Sequence, residues 1–475
     1  MSNYVPTIGI EIHTQLATKS KMFCGCDNDS RNAKPNTNIC PVCMALPGTL
    51  PVINKGAVEM AIKLAKGFSA EVASVTSFDR KNYFYPDSPK GYQITQMDQP
   101  IIQNGHVEIL INGEFKRIGI HHAHLEEDAG KLTHPDGAEY SLVDYNRAGT
   151  PLIEIVSEPD IKSAEEAKRY LQEVYNIVTA LGICDGDMEH GNFKFDLNVS
   201  VSDDQNKLGT RTELKNLNSF RNAERALNYE IQRQIDILES GEVIEQETRG
   251  WNDAKSKTFS QRSKEEANDY RYFPEPDLPP INLSKDFINS VQKNVGVLPI
   301  VVRRELVELD LSTDEQDVLI GQANTMKIFQ VARAKLGTDE LVKKAVNWLV
   351  GDYQAWLTGS TKPSNLTGES LAELIHLVDN GEISSKIAKE IFPDVIEGQL
   401  PSKIVQSRGI KQVSDSSELE SILKKIIEDN PKAVEDYKSG NEKALGFFVG
   451  QAMKATQGQA NPGKVNELVV KLLKE

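Results

Sequence analysis

Long apolar runs are missing from this 475-residue chain. None reaches the about 18 residues that a membrane-spanning helix requires, so no membrane span is expected. Cysteine is scarce, with five residues, and that excludes a disulfide scaffold. Basic charge is in deficit: the formal net charge is −15 and the isoelectric point is near 5.2. A protein that binds nucleic acid over its whole surface carries the opposite balance, although a locally basic contact stays open. The opening residues, MSNYVPTIGIEIHTQL, lack a basic start and a long apolar stretch, so they read as a strand and not as an export signal. A reducing, cytoplasmic compartment is expected. No Gly-x4-Gly-Lys-Ser/Thr phosphate loop occurs, which excludes a nucleotide site of that type. A Gly-Gly-Ser-Ser run and a Gly-x-Ser-x-Gly elbow are also absent, which removes the familiar serine nucleophiles of amide hydrolysis.

What is present divides along the chain. A length of 475 residues exceeds one core, so two to four domains are expected. Residues 1–293 read as β-rich, with short alternating runs at Ile8–His13, Val107–Ile111, Arg117–His121, Leu152–Val156 and Phe193–Val201. Helical spacing interrupts them at about Lys55–Phe68, Ser163–Leu181 and Ser219–Ser240. The stretch YFPEPDLPP, Tyr272 to Pro280, is too rich in proline for a helix and reads as a surface run or cleft wall. Residues 294–405 take on helical periodicity, including Asp339–Leu357, Leu371–Asn380 and Lys386–Phe392. Residues Pro401–Ser417 read as polar loop. A tail, 406–475, holds four further helical segments. From Pro401 onward the chain carries twelve Lys/Arg against ten Asp/Glu, while the rest is strongly acidic. The fold class read from this is α+β: a β-rich domain, an all-α helical domain and a small helical tail.

The strand Ile8–His13 places Ile8, Ile10 and Ile12 on one face and Gly9, Glu11 and His13 on the other. Residues i and i+2 on one face lie about 6.5–7 Å apart, so a carboxylate and an imidazole there can share a metal ion. A solvated strand face fits the same pattern. The motif repeats: His124, Glu126 and Asp128 alternate, with Glu127 beside them; Glu154 interrupts the apolar PLIEIV; Lys194, Asp196 and Asn198 share a face; Glu213 and Lys215 share another. If these faces converge, the site is rich in oxygen with an occasional imidazole, which suits Mg²⁺. A sheet with one wet polar face is the alternative. A buried carboxylate such as Glu154 needs a partner or a metal.

Cys24-x-Cys26, thirteen residues, then Cys40-x2-Cys43 is the spacing of a zinc knuckle. Four thiolates satisfy tetrahedral Zn²⁺ structurally and leave no position open for catalysis. Free or redox-active thiols are the other reading.

The string VDYNRAGTPLIEI, Val143 to Ile155, resembles the signature of the family of aspartyl/glutamyl-tRNA(Asn/Gln) amidotransferase B subunits. The resemblance extends through IGIEIHTQL, the four cysteines with LPGTLPVIN, FDRKNYFYPDSPKGYQITQ, HLEEDAGK, TELKNLNSF, NDYRYFPEPDLPP, SSKIAKEIF and VGQAMKATQGQANPGKVNELV. One departure is KFDLNVSV, where the family more often carries an Arg-Cys-Asp type sequence. Asp196 and Asn198 are retained, and only the lysine before them is in question.

The resemblance implies a cradle-shaped catalytic domain, a glutamine-hydrolysing amidase A subunit and a small C subunit in a heterotrimer. It implies ATP-dependent activation of the side-chain carboxylate of misacylated Glu-tRNA(Gln) or Asp-tRNA(Asn), followed by amidation with ammonia. Such an enzyme is a ligase that forms a carbon–nitrogen bond. On this reading Glu11, His13, Glu126 and Glu154 hold Mg²⁺, with Glu127 and Glu213 as further candidates. Lys215 serves catalysis. Lys81, Asn82, Tyr83, Asp196, Asn198 and Arg271 contact ATP or substrate. Residues Tyr270–Pro280 help to close the site. In the tail, Lys454 and Lys464, with Gly458 between them, are the expected tRNA contacts; lysines that merely solvate a helix pair are the alternative. Two rival readings remain: a non-catalytic tRNA-binding scaffold in the same complex, and a stand-alone ATP-dependent amidoligase.

Overall fold

The computed structural model describes residues 4–204, 206–263, 269–410, 416–439, 443–456, 460 and 462–474. The chain divides into two compact units, one running to Val302 and the other starting at Arg303. The first is sheet-rich and the second helical, which is the α+β class.

The first unit is built on a nine-stranded sheet. Its order is Lys257–Ser263, Glu247–Asn252, Thr212–Lys215, Phe193–Ser202, Val5–Gln15, Pro151–Ser157, Glu114–Glu127, Ile102–Ile111 and Glu71–Val72. Neighbours are antiparallel, except that Thr212–Lys215 and Glu247–Asn252 run parallel. The strand nearest the chain start therefore lies at the centre. Its alternation explains this: Ile8, Ile10 and Ile12 are fully buried, and the residues between them are not. Each buried isoleucine contributes roughly 1.5–3 kcal/mol.

The apolar face is covered by helices. Ala164–Ala180 packs on Ile102–Ile111, and Phe220–Glu239 packs on Phe193–Ser202. Both begin at a serine, Ser163 or Ser219, whose side chain accepts a backbone N–H in the first turn. Lys55–Gly67 packs at the end nearer Ile102–Ile111. With one face committed to helices, the polar residues of these strands are left on the other.

A separate three-stranded sheet, Phe273–Pro274, Asp79–Asn82 and Tyr92–Thr95, takes up the proline-rich run. That run is tied down. Arg80 forms a bidentate pair with buried Glu275, at 2.7 and 2.9 Å, and Asn82 Nδ2 donates to the carbonyls of Tyr270 and Arg271. It stands as a fixed wall rather than a loose cover.

In the second unit, the expected helix Asp339–Leu357 forms as one continuous helical run, Asp339–Trp348 and Gln354–Gly359 joined through a wider, π-helical turn at Leu349–Tyr353. Gly351 sits in that turn, where helix propensity is lowest. Pro401–Ser417 was expected to be loop, and this is corrected: Pro401–Ser407 is a helix with proline at its first turn and Ile404 buried beneath it. Residues 411–415 lie outside the description. The tail helices Ser416–Glu428, Pro431–Lys438, Lys443–Ala455 and Pro462–Lys474 share a core of their own around Leu419, Leu423, Phe448 and Val465. Among the described residues, no helix is long and apolar enough to cross a membrane.

Candidate functional site

Strand register assembles the polar face. His13 of the central strand lies opposite Glu154 on one side and Lys194 on the other. Glu154 in turn opposes His124. Glu126 lies two residues beyond His124, hence on the same face. Nearer the other end, Glu11 opposes Asp196, and Asn198 opposes Glu213. Strands far apart in sequence thus meet in one patch.

The patch has two centres. In the first, His13 Nε2 lies 3.2 Å from Glu154 Oε2 and 3.7 Å from Glu126 Oε1. One ligand atom from each of the three falls within 4.8 Å of the others, as sharing a cation demands. His124 Nε2 stands 3.6 Å from an oxygen of each glutamate. Burial would lower the His13 imidazole, but the Glu154 hydrogen bond and the Glu126 charge outweigh it and lift it to about 9. Burial would raise Glu154, but the His13 hydrogen bond, with His124 and Lys81, holds it well below the usual carboxylate range. Protonated His13 thus supplies positive charge between these carboxylates, and a divalent cation bound there would take over that role with the imidazole neutral. Two carboxylates and an imidazole suit a hard or borderline divalent ion such as Mg²⁺.

In the second centre, Asn198 donates to Glu11 Oε1 at 3.1 Å. Lys215 Nζ lies 2.7 Å from Asp196 Oδ2 and 3.2 Å from Glu213 Oε1. Burial first, then Glu154 and Asp196, raise the Glu11 carboxyl above its ordinary value. Burial would lower Lys215, but Asp196 outweighs it and the ammonium is raised as well. Lys215 therefore bridges Asp196 and Glu213, Asn198 holds Glu11, and this acid group stands beside the His13 cluster and outside it.

Other expected residues separate. Glu127 turns to Lys90, at 2.5 Å, and to the Ile94 N–H, at 3.1 Å. Lys81 lines a cavity of about 380 Å³ together with His13, Tyr83, Glu126, Tyr270 and Cys43. Its ammonium lies 5.0 Å from the Tyr270 ring centre. Tyr83 stacks with Tyr85 and meets Tyr270 edge-on, forming an aromatic ledge. Asn82 has spent its amide on the 270–271 carbonyls, so it positions the wall. Arg271 is exposed, with φ of 45°. A larger polar cleft of about 670 Å³ is lined by Gln15, Lys194, Arg147 and Asp185 among others. The smaller cavity holds the His13 and Glu126 side chains and is the one matched to the chemistry.

His124 is the site residue that sequence reasoning left out of the metal set. The signal was present, since it precedes Glu126 by two on one strand. Its Nδ1 is buried and meets no hydrogen-bond partner among the described residues, and its ring stacks on His122 at 5.3 Å. A Gly-x-Cys-x-Gly elbow, which sequence reasoning had counted as absent, is present in spacing at Gly182–Gly186, GICDG. The structure gives it no such role. Cys184 is buried, its sulfur accepts the Gly186 N–H, and burial pushes its thiol up to about 11.

The four clustered cysteines do converge, with all sulfurs within 4.8 Å of one another. The hydrogen bond from Cys24, with help from Lys21, pulls the Cys43 thiol down to about 5, while burial lifts Cys26 to about 11. Sharing of protons among four thiols is what their proximity forces, and the donor set fits tetrahedral zinc. In the tail, Lys454 and Lys464 are exposed, on Lys443–Ala455 and Pro462–Lys474. Gly458 lies outside the described residues.

Comparison with known proteins matches residues 6–289 to the GatB/GatE catalytic domain and residues 329–473 to the GatB domain. The chain is 48% identical over 479 residues to the aspartyl/glutamyl-tRNA(Asn/Gln) amidotransferase B subunit of Brevibacillus brevis, covering 100% of this chain and 99% of that protein. It is 46% identical over 477 residues to the protein of that name from Persephonella marina, covering 99% and 100%. The one from Solidesulfovibrio magneticus is 47% identical over 479 residues, covering 100% of both.

Proposed function

Because the chain belongs to the family of the aspartyl/glutamyl-tRNA(Asn/Gln) amidotransferase B subunits, we propose that it activates the side-chain carboxylate of a misacylated tRNA with ATP and passes it to ammonia. The observation that carries this reading is the meeting of His13, Glu126 and Glu154 within 4.8 Å beside a cavity lined by Lys81. A side-chain carboxylate oxygen of Glu-tRNA(Gln) or Asp-tRNA(Asn) attacks the γ-phosphorus. The bond to the β-phosphate breaks, and ADP leaves. Ammonia then attacks the acyl carbon and expels phosphate, leaving the amide. Phosphoryl transfer needs positioning and charge neutralisation above all. Lys81 supplies positive charge at the cavity, and Lys215 supplies it at the adjoining acid group. Bound by His13, Glu126 and Glu154, Mg²⁺ would add Lewis-acid neutralisation of phosphoryl oxygens. The Tyr83–Tyr270 ledge offers a face for a nucleoside base. The fixed wall at 270–275 limits water, which would otherwise hydrolyse an acyl phosphate.

Ammonia comes from a glutaminase A subunit, and a small C subunit completes a heterotrimer. The four cysteines hold a structural zinc. The test is a transamidation assay of the purified complex with glutamine, ATP and each misacylated tRNA. One ADP per amide, dependent on Mg²⁺, is expected. Amide formation without ATP turnover would overturn the reading.

The tail is proposed as the tRNA contact. A protein at −15 repels a polyanion, and the tail is its near-neutral segment. Replacing Lys454 and Lys464 together with alanine should raise the KM for tRNA about tenfold and flatten the log–log salt slope by roughly 2. ATP affinity should stay unchanged. Equal slopes for the variant and the parent would show that these lysines only solvate the surface.

A further inference from the structure

Among the described residues of the sheet-rich unit, Lys21 is the most deeply buried lysine, with no solvent exposure. A charge so placed requires a counter-charge. Among the described residues no carboxylate pairs with it. Its Nζ donates to the Asn38 carbonyl at 3.0 Å and points to Cys43 Sγ at 3.9 Å. Glu127, the nearby acid, is already taken by Lys90.

The backbone around Lys21 shows that this placement is built in. Its own N–H donates to the Cys26 carbonyl at 3.0 Å, and Ser20 bridges to Asp27, so the Cys24–Cys26 turn is closed at its base. Met22 N–H donates to Gly149 O. Gly149 has φ of +86°, and a Cβ there would stand 3.5 Å from Lys21 Cδ and 3.7 Å from Cys43 Cβ. The glycine turn thus closes over the lysine stem and the cysteine together. On the other side, the Asn38 N–H donates to Asn146 Oδ1 at 2.8 Å, which fixes the residue whose carbonyl Lys21 reaches.

Resting on the zinc reading above, we infer that Lys21 is the charge partner of the four-cysteine centre and sets how tightly that centre holds zinc. Four thiolates around a dication leave a net double negative charge. In a buried setting this charge is costly unless a cation or N–H donors lie against the sulfurs. The Cys40 N–H donates to Cys43 Sγ at 3.1 Å, and Lys21 supplies the full positive charge. The relation is reciprocal. Zinc thiolates are what permit a lysine to be buried without a carboxylate.

The test is zinc competition with a chromophoric chelator on the full-length chain in its complex, for the parent, Lys21→Met and Lys21→Arg. Lys21→Met should weaken zinc about 10–100-fold, the range for lost outer-sphere partners of a metal site. With cobalt in place of zinc, its sulfur-to-metal absorption should shift. Lys21→Arg, which keeps the charge, should recover most of the affinity. Equal zinc affinity and an unchanged cobalt spectrum in Lys21→Met overturn the inference. If Lys21→Met does not fold, Lys21→Gln, which can still bond to Asn38, is read in the same way: parental affinity overturns the inference and weakened affinity supports it. A parent complex that binds no zinc overturns the zinc reading itself, which separates the two failures.

Discussion

Glu154→Ala and His13→Ala are each expected to lower ATP-dependent amide formation by roughly 10³-fold, equivalent to the several kcal/mol that a bound metal ion contributes to phosphoryl transfer. Glu154 sits at the crossing of the cluster, opposite both His13 and His124. Its removal leaves His13 with Glu126 alone, 3.7 Å away. Two properties should survive. The fold should hold, because Glu154 lies on the polar face while Ile153 and Ile155 fill the core. On the proposed division of labour, hydrolysis of glutamine by a glutaminase partner should continue. Coupled measurement of ADP and of glutamate therefore isolates the defect. Parental ADP production by both variants would remove the cluster from the chemistry.

Glu275→Ala should cost about 3–5 kcal/mol, the range for breaking a buried ion pair from one side. Arg80 would keep its position over the Tyr92 ring, 4.3 Å from its centre, and lose both carboxylate bonds. Asp277, at 3.3 Å and more exposed, replaces little of that. Glu275 also receives the Asp277 N–H, so the turn after it loosens as well. Urea denaturation should show the first unit melting at lower denaturant while the helical unit is unaffected. A two-state fit is not appropriate for a chain of two units. An unchanged first midpoint would show that strand pairing at Phe273–Pro274 holds the wall by itself.

Strand alternation made much of the sheet legible. IGIEIH announces both its buried face and its polar one, and the observed strand extends that reading to Val5–Gln15. Helix starts were equally plain where a serine caps an apolar stripe, as at Ser163 and Ser219. Register was not legible. Nothing local in His13 says that it will face Glu154 rather than another acid, because that depends on which strands become neighbours. The same gap explains Glu127 and His124. Alternation alone sets Glu127 on the opposite face from Glu126 and sets His124 on the same one, yet the weight of an acidic run favoured the carboxylates. Lys90, which claims Glu127, sits on a loop with no periodic signal. Asn82 read as a ligand because asparagine beside lysine and tyrosine suits a nucleotide. Its engagement with the 270–271 carbonyls is a contact across 188 and 189 residues that no pattern encodes.

The central position of Val5–Gln15 has a consequence for how the protein is made. Its partners lie far down the chain: Ile10 waits for Ser157, 147 residues on, and Glu11 waits for Asn198, 187 residues on. At a synthesis rate of about 5–20 residues per second, the gap lasts roughly 10 seconds or more. Throughout it, an isoleucine-lined strand is exposed on both edges beside the ribosome. Non-local pairing of this kind is slow and invites aggregation. The polar face around His13 is thus completed only once Phe193–Ser202 has emerged, and a nascent chain has most need of a chaperone before residue 200 emerges.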